Sequence, residues 1–226
     1  MMQIRQLKYT FPKAQQPFFD GLNFDLVAHQ VNFLIGQNGA GKTTLADILL
    51  GLRPSQGEIT PQGSSIYLNQ KLPMLAATRV CDVAQLVLGV ATGQLRLSLA
   101  DLAGRADAPT VAFLTPLWQR HYGDLSGGER KLVQLLLFLQ VDRDLVVLDE
   151  PTAFVDRQHV ATLFTVMREH PQRTYLLITH DVRDVTAFEQ CQVLWLADRQ
   201  IKATWTAAQF ADHANDSEFL QAFKTI

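Results

Sequence analysis

The stretch VNFLIGQNGAGKTTLADILLG, residues 31–51, decides how this chain is read. Val31, Phe33, Leu34 and Ile35 form an apolar run that stops at Gly36, the pattern of a buried strand entering a glycine loop. Thr43 to Leu50 then supplies good helix formers, with Gly51 and Pro54 as stop signals. Between them Gly36, Gly41, Lys42 and Thr43 satisfy GxxxxGK[ST]. Glycines at those places let backbone N–H groups turn inward around phosphate oxygens, Lys42 neutralises their charge, and the helix start adds its positive end.

Two more apolar strand candidates, Leu145 to Leu148 and Tyr175 to Thr179, end in polar residues. Buried parallel strands do this when functional groups sit at their carboxyl ends, so the core is read as α/β. In LVVLDEPT, residues 145–152, the first strand delivers Asp149 and Glu150. One carboxylate can hold Mg²⁺ and the other can orient an attacking water, which makes Asp149 with the Thr43 hydroxyl the metal ligands and Glu150 the base. Thr44 can reach a more proximal phosphate. Between Gln70 and Leu125 the pattern changes: Val80, Val83, Ala84, Val87 and Ala91 recur at helical spacing. One domain over 1–226 is expected, with a helical subdomain at about 73–124 inserted between parts at about 1–72 and 125–226. Phe210, Phe219, Leu220 and Phe223 suggest short amphipathic helices in the tail.

The net charge of −2 over 226 residues, with Lys and Arg spread along the chain, marks no track for a phosphate backbone, so nucleic acid is not expected as a partner. Cys81 and Cys191 match no paired-ligand spacing and suggest neither a zinc site nor a disulfide framework, which fits a reducing cytosol. MMQIRQLKYTF has no apolar stretch behind it long enough for a signal peptide. Leu132 to Val141 is interrupted by Gln134 and Gln140 and is about half of the ~20 residues a membrane span needs.

LSGGE, residues 125–129, precedes a long apolar helix. Ser126 and the amides of Gly127 and Gly128 form an anion-binding helix start. With the phosphate loop before it and the acidic strand end after it, the segment resembles the signature of the ATP-binding cassette (ABC) ATPases, and the resemblance covers nearly the whole chain. It implies a P-loop NTPase (RecA-like) core with an N-terminal antiparallel β subdomain and an inserted α-helical subdomain. ATP and Mg²⁺ are the implied cofactors. Gly36, Gln37, Asn38, Gly39, Ala40, Gly41, Lys42, Thr43 and Thr44 would wrap the phosphates, and Ser126 to Gly128 would meet the γ-phosphate held by a second subunit, expected to be an identical copy. By the same resemblance Phe11 in YTFP stacks on adenine, Gln70 contacts Mg²⁺, and His180 in LLITHD contacts the γ-phosphate and the attacking water. Asp156 in PTAFVD belongs to the loop that communicates across the dimer. Lys42, Glu150 and His180 are thus the catalytic set.

The chain departs from the family where Ala153 and Val155 replace a serine and a leucine, and where Lys131, Leu132 and Leu137 replace the usual glutamine and arginines. ABC ATPases without a membrane span usually power a separate permease, so a transporter motor peripheral to the cytoplasmic face of the cell membrane is expected. KLPML and TRVCDVAQL, after a short interval from the phosphate loop, resemble the bacterial zinc and manganese importer ATPases, which suggests a metal-ion importer. The alternative is a soluble non-transport ABC ATPase in translation, repair or assembly, although such proteins usually carry two cassettes or long insertions. A regulator without hydrolysis is a third class, opposed by intact Glu150 and His180.

Overall fold

Alternation writes the first strand. In β1 (Met2–Tyr9) Met2 and Ile4 are buried, then Leu7 and Tyr9, so the period of two slips once. The slip is a bulge: Gln6 takes φ of 51° and donates its N–H to the Asn23 side chain at 2.9 Å. β2 (Phe19–Leu26) pairs antiparallel with β1. β3 (Val31–Ile35), buried at every residue, leads into the phosphate loop and α1 (Lys42–Leu49). β4 (Gln56–Ile59) returns to the other edge of β1 and completes a three-stranded sheet ordered β2-β1-β4.

β5 (Ser65–Leu68), β6 (Leu145–Asp149), β7 (Thr174–Ile178), β8 (Cys191–Ala197) and β9 (Gln200–Thr206) join β3 in a six-stranded sheet ordered β5-β6-β7-β3-β8-β9. All are parallel except β9, which folds back on β8. Because β7 lies between β3 and β6, Ile178 is in register with both Leu34 and Asp149. The glycine loop, the acidic pair and the segment after β7 therefore emerge at one end of adjacent strands, where parallel sheets place their ligand crevice.

Asn32, the second residue of β3, carries a fully buried amide. Its Nδ2 donates to the carbonyls of Val27 at 3.0 Å and Tyr175 at 3.1 Å, and its Oδ1 accepts from the Val27 N–H at 2.8 Å. Buried polar atoms are kept only when paired in this way. Leu45, Ala46, Ile48 and Leu49 turn the apolar face of α1 into a core shared with both sheets.

The computed structural model describes residues 1–60, 63–69, 76–94 and 96–213. They form two compact units: the described parts of 1–70, 143–150 and 172–226, which hold the strands and α1, and the described parts of 71–142 and 151–171. The second unit is helical, with Gly127–Leu139 and Arg157–Arg168 its longest helices. Val80, Val83, Ala84 and Val87 are buried there, but Ala91 is exposed. A π turn at Gln85–Gly89 shifts the helical phase so that Leu88 is buried beside Val87. In the tail, Phe210 is buried in the helix Ala207–His213, whereas Phe219, Leu220 and Phe223 lie outside the described residues.

Asp107 caps the helix Ala108–Leu114 and reaches two other parts of the second unit. It accepts from Thr110 N–H at 2.8 Å and from Gln140 Nε2 at 2.6 Å, and His170 Nε2 stands 3.6 Å away. Burial works against its charge, but the nearby His170 ring and the bonds from Thr110 and Gln140 outweigh that and bring its pKa down to about 2.

Candidate active site

The phosphate loop turns where glycine permits. Gly41, at φ of 105°, is the N-cap of α1, and a β-carbon there would stand 2.5 Å from Phe18 and 2.8 Å from Phe19. Only a residue without a side chain fits that backbone beneath those two rings. α1 has no side-chain cap and no acidic residue in its first turn, so its terminal N–H groups and positive dipole end are directed at the loop.

Lys42 is only 7% exposed and donates from Nζ to the carbonyls of Gly36 at 2.8 Å and Gln37 at 3.1 Å. Burial lowers its pKa, and the charges of Glu150 and Asp149 offset part of that. Thr43 Oγ1 donates to Asp149 Oδ2 at 2.8 Å. A second hydroxyl, from Tyr67 at the end of β5, reaches the same oxygen at 3.2 Å. Burial, the neighbouring Asp149 charge and this bond push the Tyr67 phenol strongly up, so it stays a neutral donor. A hydroxyl and a carboxylate oxygen side by side are a donor set that suits a hard divalent cation, and Thr43 and Asp149 fit Mg²⁺ on that ground.

Glu150 follows β6 in a left-handed conformation, φ of 53°, which costs energy for a residue with a side chain. Its N–H donates to the Ile178 carbonyl at 2.9 Å, which ties this kink to the end of β7. Two residues past Ile178, His180 Nε2 meets Glu150 Oε1 at 2.8 Å. A cavity of about 420 Å³ has Lys42, Thr43, Thr44, Asp149, Glu150 and His180 in its wall. Asn38, Gly39 and Gly41 line it as well, and Phe11 and Phe18 stand at one side. Gly36, Gln37 and Ala40 lie in the same loop; Gly36 and Gln37 act through the carbonyls that hold Lys42. Gln70 lies outside the described residues.

Ser126, Gly127 and Gly128 belong to the second unit, where they open the helix Gly127–Leu139. Ser126 and Glu129 cap that helix reciprocally: Ser126 Oγ accepts from Glu129 N–H at 3.2 Å, and Glu129 Oε2 accepts from Ser126 N–H at 2.7 Å. The N–H groups of Gly127 and Gly128 have no acceptor among the described residues. Asp156 caps the helix Arg157–Arg168 through the His159 N–H at 3.0 Å. Two of the family departures meet: Lys131 Nζ donates to the Ala153 carbonyl at 3.0 Å. Next to Ala153, Phe154 is 92% exposed at φ of 63°.

The sequence reading missed three contributors. The S-x-x-E spacing within LSGGE is a capping box and was readable as one. The doublet Phe18-Phe19 hid a cavity residue, since one ring is core and the other half-buried, and nothing in the spacing separates them. Tyr67 gave no signal, because its hydroxyl meets Asp149 only through the pairing of β5 with β6.

Comparison with known proteins identifies the family. The family model described as ABC transporter matches residues 19–153, more than half of the chain. The molybdate import ATP-binding protein MolC of Haemophilus influenzae is 31% identical over 77% of this chain and 71% of its own length. The zinc import ATP-binding protein ZnuC of Acinetobacter baylyi is 33% identical over 76% of this chain and 65% of its own length. Among solved structures, an inward-facing ABC transporter described as of metal-chelate type superposes with a TM-score of 0.74 at 25% identity, covering 98% of this chain and 88% of that one. With an α/β sheet, an antiparallel N-terminal sheet and a phosphate loop aligned with an acidic strand end, the chain belongs to the ABC transporter family and is an ATP-binding, ATP-hydrolysing subunit of it.

Proposed function

We propose that this subunit powers a separate membrane permease that imports a metal-containing cargo, and that it works from the cytoplasmic face as a pair of identical copies. The observation that carries the ATPase half is the single cavity walled by Lys42, Asp149, Glu150 and His180. The cargo half is supported by relatives named for molybdate and zinc import and by a structural neighbour described as metal-chelate type. Among the described residues no helix is long and apolar enough to cross a membrane.

In this reading the phosphates of ATP enter where Lys42 bonds the loop carbonyls, and Lys42 exchanges those carbonyls for β- and γ-phosphate oxygens. Thr43 and Asp149 would hold Mg²⁺, which draws charge off the phosphate oxygens when bound. Glu150 accepts a proton from the attacking water, and His180, 2.8 Å from that carboxylate, orients it and the water against the γ-phosphate. The Gly127 and Gly128 amides of each copy would complete the γ-phosphate site of the other. Gln70 would sense the metal and Phe11 would stack on adenine.

Glu150→Gln is expected to keep ATP binding and lower steady-state hydrolysis by about 100-fold or more; near-normal turnover would overturn the role of Glu150. Uptake of zinc and molybdate by cells carrying this variant would fall for one of the two, and unchanged uptake of both would remove the metal cargo.

A further inference from the structure

The turn joining β8 to β9 is built against local preference. Asp198 and Arg199 both adopt left-handed backbone, φ of 47° and 61°. A two-residue hairpin of this kind favours Asn-Gly or Asp-Gly, because a side chain at the second position is strained. Here an arginine occupies it. Lys202 pairs with Asp198 at 3.2 Å, and the Arg199 guanidinium lies 4.9 Å from the centre of the Phe18 ring.

Phe18 is held on several sides, Phe19 among them edge to face at 4.8 Å. Arg199 covers its ring, Phe11 meets it edge to face at 5.0 Å, and the backbone of Gly41 lies so near that a β-carbon would clash with it. The ring still lines the cavity that holds Lys42 and Glu150. Phe11 has a matching arrangement, with Arg53 at 5.9 Å from its ring centre and Asp47 holding Arg53 at 2.8 Å. Two aromatic rings, each backed by an arginine, thus stand at one side of a cavity whose other lining is the phosphate loop and the carboxylates.

We propose that Phe18 is a second contact for the base and ribose of the bound nucleotide, and that Arg199 is its positioning residue, held in a strained turn so that it can stack on the ring. The inference rests on the cavity being the ATP site. A stacked guanidinium restrains the ring's rotation and leaves its remaining surface to an apolar or aromatic ligand group. The loop phosphates are bound by Lys42 and by backbone amides, so a wall made by Phe18 discriminates the nucleoside end and not the phosphate end.

The test measures Mg²⁺-dependent binding of ATP and of inorganic tripolyphosphate by calorimetry, with melting temperature recorded for each protein. Phe18→Ala should weaken ATP about tenfold and leave tripolyphosphate unchanged. Phe18→Leu, which keeps much of the packing, should weaken ATP by a smaller factor with the same selectivity. Arg199→Gly should weaken ATP about threefold while melting temperature holds or rises, because glycine relieves the strained backbone. Equal loss of ATP and tripolyphosphate in the Phe18 variants would make the ring a support for the loop only. Equal loss in Arg199→Gly would make the arginine a general anion attractor. Either result overturns the proposal, as does wild-type ATP affinity in all three variants. If the wild-type protein binds no ATP, it is the proposed function that falls.

Discussion

Two helices in this chain begin with glycine-bearing segments, and they begin in opposite ways. α1 opens at Gly41 with no side-chain cap and no acid in its first turn. The helix Gly127–Leu139 opens at Ser126 with a reciprocal cap and Glu129 in its first turn. An uncapped helix start leaves several N–H groups without partners and forgoes about 1 kcal/mol that a Ser or Asp would supply. In the proposed function a phosphate takes the place of the cap at α1, which would make ligand binding and completion of the helix one event. At Ser126 the cap is already present, and only the amides of Gly127 and Gly128 are left for a ligand. The first site is therefore built to bind an anion by itself, and the second is built as a rigid presenter of two donors.

The strongest way to break this contrast is to remove the charge from the first site alone. Lys42→Ala should lower ATP affinity about 100-fold or more, as expected for a buried charge-assisted contact to phosphate, and should abolish the rise in melting temperature that ATP gives the wild-type protein. A variant that keeps its ATP-induced stabilisation would show that the loop amides suffice.

A smaller effect separates the helical unit from the nucleotide site. Because the folded-state pKa of Asp107 is about 2 against an ordinary 3.8, its contribution is complete above the ordinary value and is lost as pH falls through the folded one. Between pH 5 and 2 the wild-type protein should lose about 2 kcal/mol more stability than Asp107→Asn does, read from denaturant unfolding at each pH. Parallel pH curves for the two proteins would remove the Asp107 network as a source of stability.

The smallest expected change tests the capped helix. Ser126→Ala should cost about 1 kcal/mol in stability through the lost cap and leave the ATP affinity of the monomer unchanged, while lowering turnover. If ATP affinity fell with stability unaltered, Ser126 would belong to the same site as Lys42 and the contrast would fail.

Much of this architecture was readable because buried parallel strands announce themselves. β3, β6 and β7 are short apolar runs ended by glycine or by polar residues, and the α/β class follows from them. β9 was not readable, since QIKATWT has no fully buried residue and reads as neither core strand nor helix. The π turn at Gln85–Gly89 was hidden because one widened turn changes no residue type, only the phase of those that follow. The grouping of Lys42, Asp149 and Glu150 could be anticipated from motif order, but the 2.8 Å meeting of Glu150 with His180 depends on a left-handed Glu150, which sequence does not encode in any local preference. Phe18 and Arg199 are far apart in the chain and meet only after β9 folds back on β8.

Asn32 adds a safeguard to folding itself. Its amide is matched to carbonyls of Val27 and Tyr175 in one alignment of β3 against β7. A slip of one residue would turn that amide to the opposite face and leave polar atoms buried without partners, at a cost of about 1–3 kcal/mol each. An all-apolar β3 would carry no such penalty and could settle in either alignment. The phosphate loop starts at the residue after β3, so the same slip would also shift Gly36 and Lys42 away from Asp149. Asn32 thus works as a proofreading key, making chains with a misaligned nucleotide site the less stable ones during folding.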